Sequence, residues 1–288
     1  MDTLAGMGVA LITPFKKDKS VDYDALSKVV QHVSTGADFF VALGTTAETS
    51  ALNSEEKKEI VKFIAQNNTK KLPLVVGAGG NNTNEVVKQV SDIYPEADAI
   101  LSVTPYYSKP SQRGIYEHFT AVADASVKPV ILYNVPSRTG VNMCADTCLK
   151  LAEHKNIVAV KEASGNLNQF AYILRDRPKD FKVFSGDDAT TFFQIAMGAN
   201  GVISVIGNAL PKEFSTLVRS TINGDFSTAK QIHLQVLELI DLLFVEGNPV
   251  GIKALMSIKG LIENELRLPL VKASDALCDN LKKYDKPN

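Results

Sequence analysis

Eight short apolar runs, each followed by a more polar stretch, constrain this chain more than any other feature. They are Gly8–Pro14 (GVALITP), Phe39–Thr45 (FFVALGT), Leu74–Gly79 (LVVGAG), Ala99–Pro105 (AILSVTP), Val130–Pro136 (VILYNVP), Ile157–Ala163 (IVAVKEA), Lys182–Asp188 (KVFSGDD) and Gly201–Asn208 (GVISVIGN). Their starts lie 19 to 35 residues apart. Most are β-rich and apolar almost throughout, as strands covered on both faces of a parallel sheet are. Between them run helical patterns. Asp22–Ser34 carries Leu26, Val29, Val30 and Val33 at helical spacing, and Ser54–Gln66 opens with Ser54 as N-cap before first-turn acids. Asn84–Ile93 and Arg113–Ala125 behave alike. Alternating β and α units predict parallel strands with crossover helices, and eight of them close into a (β/α)8 barrel, an α/β fold. The structural rival, a doubly wound open sheet, usually carries G-x-G-x-x-G after its first strand; here that run ends Thr13-Pro14-Phe15. The later segments Lys212–Ile222, Phe226–Phe244, Val250–Glu263 and Ser274–Lys282 all read as helices. The first completes a barrel over residues 1–224, and the rest form a helical extension over 225–288 packed on it.

A chain of 288 residues with 45% hydrophobic and 22% charged side chains has material for one large core. The net charge of -1, without a basic block, argues against a nucleic-acid or anionic-membrane partner. The opening lacks a signal-peptide pattern and no apolar run approaches about 18 residues, so a soluble, cytoplasmic protein is expected. Three cysteines (Cys144, Cys148, Cys278) are too few and too odd in number for a disulfide framework. The four histidines (His32, His118, His154, His233) are scattered, read as surface or packing residues, and suggest no metal site. No cofactor is expected.

Barrels of this kind carry their active sites at the C-terminal ends of the strands. Those ends bring Thr45 and Thr46, Tyr106 and Tyr107, Tyr133, Arg138, Lys161, Gly186-Asp187-Asp188 and Ile203 to one rim. Lys161 is the sharpest feature, a lysine inside the apolar run Ile157–Ala163. Burying an ammonium group is costly unless it is paired or loses its proton. A desolvated lysine is therefore suited to nucleophilic attack on a carbonyl. The plain alternative is a lysine that snorkels to the rim or pairs with Glu162. Tyr133 and Tyr107 are candidate proton carriers, bridged by a threonine hydroxyl; for Tyr106 a packing role is the simpler reading. The amides of Thr45 and Thr46, which follow a glycine, can face a carboxylate. Arg138 is suited to gripping another in bidentate fashion, the alternative being an ordinary surface ion pair. The run Gly77-Ala78-Gly79-Gly80 is a βα turn needing positive φ rather than a phosphate cradle, since no Lys-Ser/Thr follows.

Five motifs in order, GTTAET at Gly44–Thr49, VTPYY at Val103–Tyr107, YNVPSRTG at Tyr133–Gly140, VKEASGN at Val160–Asn166 and SGDD at Ser185–Asp188, make nearly the whole chain similar to the dihydrodipicolinate synthase family of the N-acetylneuraminate lyase superfamily. The resemblance implies a Schiff-base lyase. Lys161 would form an imine with pyruvate, and Tyr133, Thr45 and Tyr107 would be a proton relay, Tyr107 reaching into a neighbouring subunit's site. Thr46 would hold the pyruvate carboxylate, Gly186 and Ile203 would offer backbone groups, and Arg138 would bind the carboxylate of aspartate semialdehyde. A homotetramer built as a dimer of dimers is implied. One departure is Ala47-Glu48-Thr49 where the family commonly has Gly-Glu-Ser. A sister aldolase or lyase of the superfamily, acting on sialic or sugar acids, would share the lysine and tyrosine; Arg138 argues against it. Lysine-sensitive relatives carry an allosteric pocket whose positions fall here on Ser50, Ser54, Lys57, Asn81, Glu85 and Tyr106. Ser54 and Lys57 stand where those relatives have histidines, and a fixed cation at Lys57 opposes a cationic ligand by about 1 kcal/mol after screening. Weak or absent inhibition by lysine is the expectation.

Overall fold

The computed structural model describes residues 4–92 and 94–285. Its eight parallel strands, β1 (Gly6–Ala10), β2 (Phe39–Ala42), β3 (Leu74–Gly77), β4 (Ala99–Val103), β5 (Val130–Asn134), β6 (Ile157–Glu162), β7 (Lys182–Ser185) and β8 (Gly201–Ser204), close on themselves in chain order, with β8 pairing back to β1. The helices α1 (Tyr23–Val33), α2 (Ser54–Asn67), α3 (Thr83–Ser91) and α4 (Gln112–Ala125) lie between successive strands. A single turn, α5 (Pro136–Thr139), precedes α6 (Ala145–Ala152), followed by α7 (Leu167–Asp176), α8 (Thr191–Ala196) and α9 (Pro211–Ile222). Then come α10 (Phe226–Phe244), α11 (Val250–Ile258) and α12 (Asp275–Leu281). The (β/α)8 barrel expected from the alternating pattern is thus present.

Two cores follow from strand alternation. Inward residues such as Phe39, Val41, Leu101, Ile131, Phe184 and Ile203 fill the barrel. Outward residues such as Val76, Leu132 and Val160 pack on the helices, against Phe119, Phe170 and Phe214 among others. The expected strands run several residues past most observed ones because their last residues belong to the loops above the barrel. The first is also shifted, to Gly6–Ala10.

Local differences have identifiable causes. The N-cap of α2 is Asn53, not Ser54: Asn53 accepts from the Glu56 N–H while Glu56 accepts from the Asn53 N–H, a reciprocal box that puts Ser54 inside the first turn. Helix α11 stops at Ile258 rather than Glu263, because Gly260 turns left-handed at φ 71°. Helix α3 begins at Thr83, and the expected end at Ile93 lies outside the described residues. The glycines of Gly77–Gly80 do not adopt positive φ. Gly77 is required by space instead, since a Cβ there would lie 2.1 Å from the Leu43 carbonyl oxygen. Of the two roles expected for the histidines, His118 and His233 take the packing one and are buried. No helix among the described residues is long and apolar enough to cross a membrane.

One irregularity positions the site. Strands β5 and β6 start in register as Val130 opposite Ile157, then shift by one so that Ile131 faces Ala159 and Tyr133 faces Lys161. Without that extra residue Tyr133 would sit opposite Val160, whose side chain points outward to the helices. A one-residue slip moves a side chain to the other face, and the bulge puts tyrosine and lysine side by side inside the barrel.

Candidate active site

Lys161 stands at the inner wall near the top of β6, only 6% exposed. Its amine lies 4.4 Å from the centre of the Tyr133 ring, and no carboxylate pairs with it among the described residues. The Lys161–Glu162 pairing considered from sequence is not formed. Glu162 points outward and accepts from Asn134 Nδ2 at 2.9 Å, Gln169 Nε2 at 3.1 Å and the Ser164 N–H at 2.6 Å. Burial pushes the Glu162 carboxyl above its ordinary pKa, partly offset by those donors. This network ties the residue after Tyr133 to the residue after Lys161, behind the reactive pair.

Above Lys161 opens a cavity of about 660 Å³, lined by Thr45, Thr46, Tyr133, Arg138, Lys161 and Gly186, and roofed by Phe244 and Asn248 from the region after the barrel. Thr45 and Thr46 begin a single 3-10 turn, Thr45–Ala47. The first N–H groups of such a turn have no partner within it, which suits them to an anion. The Thr46 hydroxyl accepts from Asn248 Nδ2 at 3.0 Å. Tyr133 is 8% exposed, its carbonyl fixed by both the N–H and the hydroxyl of Thr104. Arg138 stands on α5, exposed at the cavity and without an acidic partner among the described residues, so the surface ion pair considered for it is not formed. Gly186 donates its N–H to the Glu162 carbonyl at 2.9 Å. A Cβ on it would lie 2.5 Å from the Ala163 Cβ, so only glycine fits.

Other expected residues are not brought to this cavity. The Ile203 side chain is in the barrel core, and Val205 provides the lining after β8. Tyr107 is 88% exposed, with φ at 70°. Among the described residues no hydrogen bond joins the hydroxyls of Thr45, Tyr133 and Tyr107. A neighbouring groove of about 470 Å³ shares Thr45, Tyr133 and Arg138 and continues to Ser50, Lys57 and Tyr106. Ser54, Asn81 and Glu85 do not line it, and Glu85 pairs with Lys88 at 3.0 Å. Half of the expected allosteric set therefore converges, with Lys57 in it. A third cavity, of about 250 Å³, lies at the opposite rim around Leu4, Phe181 and Phe184 and holds none of the candidate residues.

Sequence reasoning missed a second buried lysine. Lys253 on α11 pairs with Glu48 at 2.6 Å, both side chains almost fully buried. Burial pulls its pKa down to about 8, with Glu48 working in the other direction. It does not line the cavity, and among the described residues Lys161 is the lysine that does. Asn248, also unforeseen, lines the cavity with its Oδ1 unpartnered. Asp188, just after β7, has a structural role that its motif does not reveal. It accepts from the N–H groups of Val205 and Ile206 at 2.9 and 2.8 Å and so holds the loop after β8; burial raises its pKa to about 6.

Comparison with known proteins shows which family the chain resembles along nearly its whole length. A 4-hydroxy-tetrahydrodipicolinate synthase of Azobacteroides pseudotrichonymphae is 53% identical, over 97% of this chain and 96% of its own. A crystal structure of dihydrodipicolinate synthase from Aquifex aeolicus superposes with a TM-score of 0.93 at 40% identity, covering 98% of this chain and 97% of that one. A chloride-inhibited dihydrodipicolinate synthase from Acinetobacter baumannii, solved in complex with pyruvate, gives 0.94 at 38% identity over 98% and 97%. The profile of the dihydrodipicolinate synthetase family matches residues 3–286, and the chain belongs to that family.

Proposed function

We propose that the chain condenses pyruvate with L-aspartate 4-semialdehyde to 4-hydroxy-tetrahydrodipicolinate, in the diaminopimelate route to lysine, through an imine on Lys161. The observation that carries this is the buried Lys161, with no carboxylate partner among the described residues, beside Tyr133 and beneath a cavity with amide donors on one side and Arg138 on another. The neutral amine adds to the C2 carbonyl of pyruvate. The carbinolamine loses its hydroxyl as water, using a proton delivered through Tyr133 and Thr45, and leaves the imine. Loss of a C3 proton gives the enamine, whose C3 attacks the aldehyde carbon; the aldehyde oxygen takes a proton and the iminium re-forms. The amine of the second substrate then adds to C2 and displaces Lys161, closing the ring. Overall the two substrates give one product and one water.

The Thr45–Thr46 turn receives the pyruvate carboxylate and Arg138 that of the semialdehyde. The Gly186 carbonyl borders the imine. The exposure of Tyr107 supports its service in a neighbour's relay. Apolar residues exposed on α7 and α8 and just after α8 (Leu167, Tyr172, Phe193, Met197) support a second contact surface, and thus a tetramer made of two dimers. Residues 225–288 are read as an extension that completes the roof of the site, and a cytoplasmic setting suits this chemistry.

The test is a coupled assay with both substrates, together with borohydride trapping of pyruvate. Trapping should add one reduced pyruvate to Lys161 and to no other lysine. Lys161→Ala should lose the adduct and at least a thousandfold in turnover, since binding alone does not replace a covalent nucleophile. An adduct elsewhere, or greater activity on N-acetylneuraminate than on the semialdehyde, overturns the reading.

A further inference from the structure

The Glu48–Lys253 pair has no part in the chemistry above, yet it anchors the residue that ends the turn that receives pyruvate. Lys253 Nζ donates to Glu48 Oε1 at 2.6 Å and to the Thr13 carbonyl at 2.8 Å, and it lies 4.3 Å from the centre of the Phe15 ring. Glu48 Oε2 accepts from the Arg267 N–H at 2.9 Å. Glu48 directly follows the 3-10 turn and sits left-handed at φ 52°, ψ 38°, a conformation a glutamate keeps only when its surroundings hold it there. The turn is gripped at two further points. The Thr13 hydroxyl donates to the Ala47 carbonyl at 2.9 Å, and Asn248 donates to the Thr46 hydroxyl. Thr46, Ala47 and Glu48 are all buried.

Stability alone does not account for such a pair. Two buried charges barely recover their desolvation cost, and an apolar pair of the same volume often serves as well. An ion pair with satisfied lone pairs does fix geometry, because its partners cannot slide without leaving a charge bare. We propose that Glu48 and Lys253 are positioning residues: the region after the barrel uses this pair to hold the Thr45–Ala47 turn in the one conformation that meets the carboxylate of a 2-oxo acid. The proposal rests on the pyruvate reading given above.

The double variant Glu48→Gln with Lys253→Met removes both charges together and leaves neither bare. It should raise KM for pyruvate about tenfold, equivalent to about 1.4 kcal/mol, while KM for the semialdehyde and kcat at saturating pyruvate change by less than threefold. Borohydride trapping should need correspondingly more pyruvate for half-labelling and still reach completion. Thr13→Val, which is uncharged and nearly isosteric, loses only the bond to Ala47 and should raise the same KM about threefold; it keeps the test open if the double variant fails to fold. A folded double variant with unchanged pyruvate KM, or a Thr13→Val protein with unchanged KM where the double variant is unfolded, overturns the proposal, as does an equal rise for both substrates. If the unaltered protein forms no pyruvate imine at all, the functional reading itself fails, and the two failures are distinguishable.

Discussion

At the scale of single residues the site divides by whether a side chain acts alone. Arg138 does: it faces the cavity with no acidic partner among the described residues, so its guanidinium is available to a bidentate carboxylate. Arg138→Ala should raise KM for aspartate semialdehyde at least tenfold and leave pyruvate trapping within threefold of normal. Steady-state kinetics beside a trapping titration measure both, and equal losses in the two would mark Arg138 as structural. Residues of this kind were legible in the sequence. Lys161 announced itself as an amine in an apolar strand, and Thr45 and Tyr133 as polar groups at strand ends. Glu48 and Lys253 did not, because they are 205 residues apart and only the folded chain shows that one charge answers the other. The outward turn of Glu162 was hidden for a related reason. Alternation along β6 gives its face only once the bulge against β5 is known.

Elements were legible to the extent that one period governed them. The strand runs were located because burial on both faces makes them continuously apolar, but their ends were overrun, since the apolar loops that carry the site look like more strand. Helix caps depend on side-chain geometry, so a serine and an asparagine in succession at the start of α2 could not be ranked from sequence. Helix contacts were equally hidden, as His118 on α4 shows. It is buried, its Nδ1 lies 2.9 Å from the Thr83 hydroxyl at the start of α3, and its Nε2 has no partner. A charged ring there would bury an N–H with no acceptor, and desolvation holds its pKa down to about 4, below the ordinary 6.5. Between those values the unfolded chain binds a proton that the folded one refuses. The stabilisation is therefore complete above about pH 6.5 and is lost as pH falls toward 4, by up to about 3 kcal/mol. Urea midpoints measured across that range should fall less steeply for His118→Gln than for the unaltered protein. Asp188, whose pKa is raised, works in the opposite direction in both proteins and drops out of the difference. Identical slopes would remove His118 from the acid sensitivity.

At the scale of the whole molecule, Tyr107 is the residue that one chain does not explain. It is 88% exposed, it holds φ at 70°, and no hydrogen bond fixes its hydroxyl among the described residues. Left-handed backbone at a bulky residue is unfavourable and persists where something over-determines it. If a second subunit supplies that constraint, the phenol is placed for the neighbour's relay, and each site is incomplete until two chains meet. Activity should then depend on concentration in a way that folding does not. Diluting the protein through its dissociation range should lower turnover per chain at least tenfold while far-UV circular dichroism stays constant. Sedimentation over the same series should show activity tracking the dimer. Tyr107→Phe keeps the ring that would pack in the interface and removes only the hydroxyl, so it should sediment like the unaltered protein yet turn over at least tenfold more slowly. A monomer with full activity, or a Tyr107→Phe protein with unchanged turnover, would show that the relay is finished within one chain and that the exposure of Tyr107 serves another purpose.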